Sequence, residues 1–203
     1  MGIMLAVNPG DSPVGHSQAE KAQNRERILA EASQQLRRDG LESVSVGGLM
    51  QSVGLTHGGF YGHFESRSAL LVEALRRALL EGEAKAKAPA TAPDTRLSAI
   101  ARSYLSRSHR DARDSGCAVA ALVSDVARAD DASRAVMSGY VESFTASVAE
   151  TLAGDEARAM VAVSAMVGAL TLSRVLTDPA RSDAILKAVR DHLKSIELGD
   201  GGE

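Results

Sequence analysis

The chain has no tryptophan, one cysteine, five prolines, and only three phenylalanines and three tyrosines in 203 residues. A single cysteine excludes an internal disulfide and fits a reducing compartment. The thin aromatic content, with Val mainly at helical spacing among abundant Ala, Leu, Arg and Glu, argues against strands and for an all-α protein. No apolar run reaches the roughly 18–20 residues that cross a bilayer, and the opening MGIMLAV is too short, and lacks the basic flank, for a secretion signal. A cytoplasmic protein with no membrane partner is the expectation. Positive charge is also scarce: the net charge is −3, and residues 16–80 hold eight basic side chains against seven acidic ones. Nucleic-acid binding therefore has to rest on local features.

Sets of catalytic or metal-binding residues are missing too. The HRD at 109–111 has no Asn at the spacing a kinase catalytic loop needs and no Gly-rich phosphate loop to serve. His57 and His63, six residues apart, do not share a helical face, and no further His or Cys completes a metal set. No serine nucleophile has partners. Neither an enzyme nor a cofactor or metal site is expected.

What is present is concentrated in THGGFYGHF, residues 56–64, which holds half the aromatic residues with three glycines and two histidines. Glycine weakens a helix by about 1 kcal/mol per position relative to Ala, so three in so short a stretch suggest close approach to the backbone. Ser45 can cap a short helix over 46–53 that stops at Gly54, and Thr56 can cap a second over 57–63. Two short helices across a glycine turn form a helix-turn-helix. A helix start at Thr56 offers N–H groups to a phosphate, and Gly58 and Gly59 let the backbone approach base edges or sugars. Tyr61, His63 and Arg67 are candidate phosphate donors, while Phe60 and Phe64 anchor the helix inward. His57 is either a reader of base edges or another phosphate donor.

Around this stretch the spacing predicts nine helices. The first follows Ser17 or Asn24 as cap, carries Ile28, Leu29, Ala32 and Leu36, and stops at Gly40. Residues 1–16 read as a disordered tail, and Val14 is a possible alternative start. Ser66 caps a long helix to residue 87 with Leu70, Leu71, Ala74, Leu75, Ala78 and Leu79 on one stripe. APATAPDT, residues 88–95, marks the boundary of a second domain. Helices then follow over 95–111, 116–128, 131–152, 155–176 and 180–197, the last with a stripe of Ile185, Val189, His192 and Ile196.

The run GLTHGGFYGHFESRSALLVEAL, residues 54–75, resembles the signature of the TetR/AcrR family of bacterial transcriptional regulators. Thr56, Gly58, Tyr61, His63, Phe64, Ser66 and Leu70 match the pattern, while Gly62 and Arg67 depart from the residues usual there. The resemblance covers residues 24–80. It implies a helix-turn-helix DNA-binding domain over 17–66, a connecting fourth helix over 67–87, and a ligand-binding and dimerisation domain over 88–203. It further implies a homodimer through the last two helices, binding double-stranded DNA at a palindromic operator, and an unknown small-molecule effector that releases it. Repression is the expected output, with activation the alternative. A second reading from another class is a helical interaction protein that keeps the fold and has lost DNA binding.

The DNA-binding candidates are thus Ser45, Thr56, His57, Gly58, Gly59, Tyr61, His63 and Arg67. For the effector, Tyr104, Cys117, Met137, Tyr140 and Phe144 are candidate cavity residues. Cys117, at a helix start in GCAVAALVSDVARAD, reads either as a reactive thiol or as a small core residue.

Overall fold

The computed structural model describes residues 18–86 and 97–199; the expected tail, the Val14 start, the Ser17 cap and the 88–95 boundary lie outside them. Among the described residues there are nine α-helices, two short 3-10 helices and no strand. The fold is all-α, as expected.

Helix α1, Gln18–Asp39, starts before Asn24 and buries Ile28, Leu29, Ala32 and Leu36. Gly40 stops it at φ +88°, a conformation that side chains disfavour, and a methyl there would lie 2.7 Å from an Asp125 carboxylate oxygen. After a 3-10 turn, Leu41–Ser43, comes α2, Val46–Ser52; Ser45 caps it by accepting from the Gly48 N–H at 3.2 Å. Gly54, at φ +70°, makes the turn into the second 3-10 helix, His57–Gly62. This segment was expected to be α-helical. Its three glycines bring little α-propensity, and the tighter Gly59 N–H to Thr56 carbonyl bond of 3.0 Å sets the geometry.

Helix α3, Arg67–Ala86, is the expected fourth helical element, and its six stripe residues from Leu70 to Leu79 are buried against α1. The helix expected over 95–111 is two: α4, Leu97–Tyr104, and α5, Arg107–Asp111. The break lies at Ser106, whose hydroxyl accepts from the His109 N–H at 3.2 Å and starts a new helix. Then come α6, Ala118–Val126, and α7, Asp131–Glu150, capped by Cys117 and Asp130. The chain closes with α8, Glu156–Val175, and α9, Pro179–Gly199. On α9 the buried residues are Ser182, Leu186 and Leu193; Ile185, Val189 and Ile196 are half-buried and His192 is exposed, so the helix is rotated from the expected stripe.

One exclusion is corrected. Helix α8 is long and apolar enough, by length and composition, to cross a bilayer. Its inner face, including Ala162, Met166 and Leu170, is buried with α7 and α9 packed beside it, while Met160, Val161, Leu172 and Val175 are exposed.

The N-terminal helices are fastened to the rest at three points. Arg37 of α1, buried, donates to the Asp114 carbonyl at 2.6 Å, the Ala78 carbonyl at 3.2 Å and the Glu81 carboxylate at 2.7 Å. Asp125, near the end of α6, accepts from the Leu41 N–H at 3.2 Å. Ser68, at the start of α3, donates to Asp130 at 2.8 Å.

Candidate nucleic-acid interface and inner cavity

The 57–62 turn stands on aromatic packing. Phe60 is fully buried and Phe64 nearly so, with ring centroids 5.6 Å apart and planes 28° from parallel. Tyr61 meets the edge of Phe60 at 5.2 Å and points outward, 66% exposed. Arg25 lies 4.8 Å from the Phe64 ring centroid, and one of its terminal nitrogens donates to both oxygens of Glu73, fixing α1 and α3 around this platform.

Ser45, Thr56, His57, Gly58, Gly59 and Tyr61 are exposed, and His63 is half-buried. Thr56 occupies the cap position, but its side chain makes no capping bond, contrary to expectation. Among the described residues, nothing beyond their immediate chain neighbours lies within 4 Å of where a methyl on Gly58 or Gly62 would sit, and neither glycine has a positive φ. Their lack of a side chain serves no contact inside the chain.

Arg67, a candidate phosphate donor, makes hydrogen bonds within the chain. Its Nε donates to the Val44 carbonyl at 2.7 Å and one terminal nitrogen to the Leu41 carbonyl at 3.0 Å, with Glu42 at 3.5 Å. It positions the segment leading into α2. Arg27, exposed on α1, similarly donates to the Val53 carbonyl at the end of α2. Both uses depend on carbonyls brought near by folding, which residue spacing does not reveal.

A second site lies deeper, between α3, α4, α6 and α7. A cavity of about 140 Å³ brings together Tyr104, Cys117, Tyr140 and Phe144. Met137, expected with them, is buried in the core and does not line it. Tyr104 and Phe144 stack at 5.6 Å and 22°, and His109 meets Tyr104 edge-on at 4.9 Å. The Tyr104 hydroxyl and Cys117 Sγ share a hydrogen bond of 2.9 Å, and Sγ accepts from the Ala120 N–H at 3.4 Å. Burial, reinforced by the neighbouring thiol, pushes the Tyr104 phenol well above the usual tyrosine range, so it stays neutral. His109, Ser143 and Ser147 also line the cavity and were not foreseen. The two serines had a signal: with Tyr140 and Phe144 they follow i, i+3, i+4, i+7 spacing on one face of α7.

Residues 28–74 match the family described as bacterial regulatory proteins, tetR family. The N-terminal region of the chain thus carries the sequence pattern of TetR-family proteins. TetR-family proteins are transcription factors and not enzymes, and the match gives residues 28–74 the DNA-binding domain of that family. The reduced form of Escherichia coli NemR superposes with a TM-score of 0.70 at 19% identity, over 85% of this chain and 96% of that one. A TetR-family regulator from Cytophaga hutchinsonii gives 0.72 at 17%, over 87% and 96%. Another from Streptomyces coelicolor gives 0.63 at 23%, over 87% and 97%. At these identities the likeness is one of fold. No curated protein matches the chain.

Proposed function

We propose that this chain is a cytoplasmic homodimeric repressor of the TetR family that binds a palindromic operator and is released by a small effector. Residues 17–66 form the DNA-binding domain behind a tail, 1–16; 67–87 connects it to an effector and dimerisation domain, 88–203. Ser45, Thr56, His57, Gly58, Gly59, Tyr61 and His63 contact DNA, and Arg67 holds their frame. The observation that carries the reading is the bare backbone of the 57–62 turn. Gly58 and Gly62 are open to solvent and needed neither for conformation nor for internal packing, beside the exposed Tyr61 hydroxyl.

The second copy covers α8, where Met160, Val161, Leu172 and Val175 present an apolar surface beside Gly168, which has open space above it. The effector occupies the cavity of Tyr104, Cys117, Tyr140 and Phe144. There it bears on Gly82 of α3 and on the start of α6, whose other end reaches the DNA-binding helices through Asp125. Moving α3 or α6 changes the spacing of the two recognition turns in the dimer and lowers the population that fits the operator.

One observation favours a different class, an interaction protein that no longer binds DNA. Arg25, Arg37, Arg67 and Arg77 are all engaged with carboxylates or carbonyls within the chain, leaving less charge for phosphates. Selection of bound duplexes from a random pool by the purified chain, at two salt concentrations, separates the readings. Enrichment of a palindrome, with affinity falling as salt rises, is expected for the repressor. No enrichment by folded, dimeric protein moves the assignment to protein partners.

A further inference from the structure

The aromatic residues outside the recognition segment are Tyr104, Tyr140 and Phe144, and all three line the inner cavity although they come from α4 and α7. Its volume of about 140 Å³ sets the scale of an occupant: a cavity of roughly 150 Å³ holds one benzene ring. Its walls are flat, with Tyr104 and Phe144 nearly parallel and Ile100 among the lining. Aromatic walls favour an occupant that stacks with an offset or meets them edge-on.

No Asp, Glu, Lys or Arg lines the cavity among the described residues. Arg174 comes near, and it donates to the carbonyls of Arg110 and His109 at 3.1 and 3.2 Å. A charged ligand would give up its hydration without gaining a counter-charge. Polar groups are nevertheless present: the His109 ring and Cys117 on the wall, and the Ser143 and Ser147 hydroxyls, both residues exposed, at the mouth. Ser143 donates to the Gly139 carbonyl at 2.9 Å, and its oxygen can still accept.

We propose that this cavity binds an uncharged, single-ring aromatic compound carrying a hydroxyl or carbonyl oxygen, a ligand of the phenol class, ring against Tyr104 and Phe144 and oxygen toward the serines. The proposal rests on reading the C-terminal half as an effector domain and adds the class of effector. Size favours one ring over fused rings, the lack of a counter-charge among the described lining residues disfavours carboxylates, and the flat walls disfavour saturated rings.

The test uses the full chain and isothermal calorimetry at pH 7 with phenol, benzoate, 2-naphthol and cyclohexanol as probes. Phenol is expected to bind once per chain, and each of the other three at least tenfold more weakly. Ser147→Met places a side chain across the mouth from an exposed position where folding is not at stake, and should weaken phenol at least tenfold. Ala146→Met, exposed on the neighbouring position of α7, should leave phenol binding unchanged. Benzoate or cyclohexanol binding as tightly as phenol overturns the proposal, as does undiminished phenol binding by Ser147→Met or no phenol binding by folded protein. The operator reading is tested apart from this with the selected duplex. Phenol bound without any change in duplex affinity sinks the effector mechanism and leaves the ring assignment standing. A chain that binds the duplex and ignores phenol does the reverse.

Discussion

The six aromatic side chains divide into two groups of three that solve opposite problems. In the recognition segment Phe60 and Phe64 are buried to fill a core, and only Tyr61 is turned out. In the C-terminal half Tyr104, Tyr140 and Phe144 surround a space, and the latter two stay half-buried. The first group makes a rigid platform for a short glycine-rich turn that has little helical stability of its own. The second lines a cavity, with Tyr104 and Phe144 stacked on one another along its wall. The proposed repressor uses both, a fixed surface for DNA and an open one for its effector.

The largest test of that contrast is truncation on each side. Phe60→Ala, at a fully buried site, should cost about 3–5 kcal/mol and abolish operator binding with the fold of the turn. Phe144→Ala, on a cavity wall, should cost roughly 1–2 kcal/mol and leave operator binding intact. Urea unfolding of both variants checks this, and equal losses would break the distinction between platform and wall.

The fastening between the halves gives the next effect. Removing Arg37 takes a buried donor from the Asp114 and Ala78 carbonyls and leaves Glu81 with Arg77 alone, so Arg37→Ala should cost about 2–3 kcal/mol by the same assay. The pair also predicts a pH dependence. Burial alone would push the Glu81 carboxyl up, but hydrogen bonds from Arg37 and Arg77 outweigh it and hold it below the usual glutamate range. A lowered folded value means stability that is fully present above the unfolded value and is lost as pH falls through the folded one. The melting-temperature gap between the native chain and Glu81→Gln should therefore be constant from pH 6 to 8 and shrink as pH falls below the usual carboxylate range.

Much of this was legible in the residues, and the exceptions share a cause. The stripes of α1 and α3, the cap at Ser45 and the inward pair Phe60 and Phe64 follow from local spacing, and the structure buries or bonds them as that spacing predicts. The break at Ser106 arose because a serine hydroxyl competes for a backbone N–H inside an apolar pattern that otherwise continues. On α9 two overlapping stripes were available, and tertiary packing chose Leu186 and Leu193 over Ile185 and His192. The internal bonds of Arg67 were not legible because its acceptors, the carbonyls of Val44 and Leu41, lie more than 20 residues away in sequence. Local rules found the elements; long-range hydrogen bonds decided what their polar side chains do.

The smallest change separates platform from interface most cleanly. Gly58 has an ordinary backbone conformation and open space around a would-be methyl. Gly58→Ala therefore fits without strain and reduces the freedom of the unfolded chain, which should raise stability by about 0.5–1 kcal/mol. If the turn lies against DNA, the same methyl stands between backbone and nucleotide, so duplex affinity should fall while the protein becomes more stable. Thermal unfolding and duplex binding of one variant then move in opposite directions. Affinity unchanged in a stabilised Gly58→Ala protein would mean that the glycines do not serve close approach, and the bare backbone of this turn would lose its place in the DNA reading.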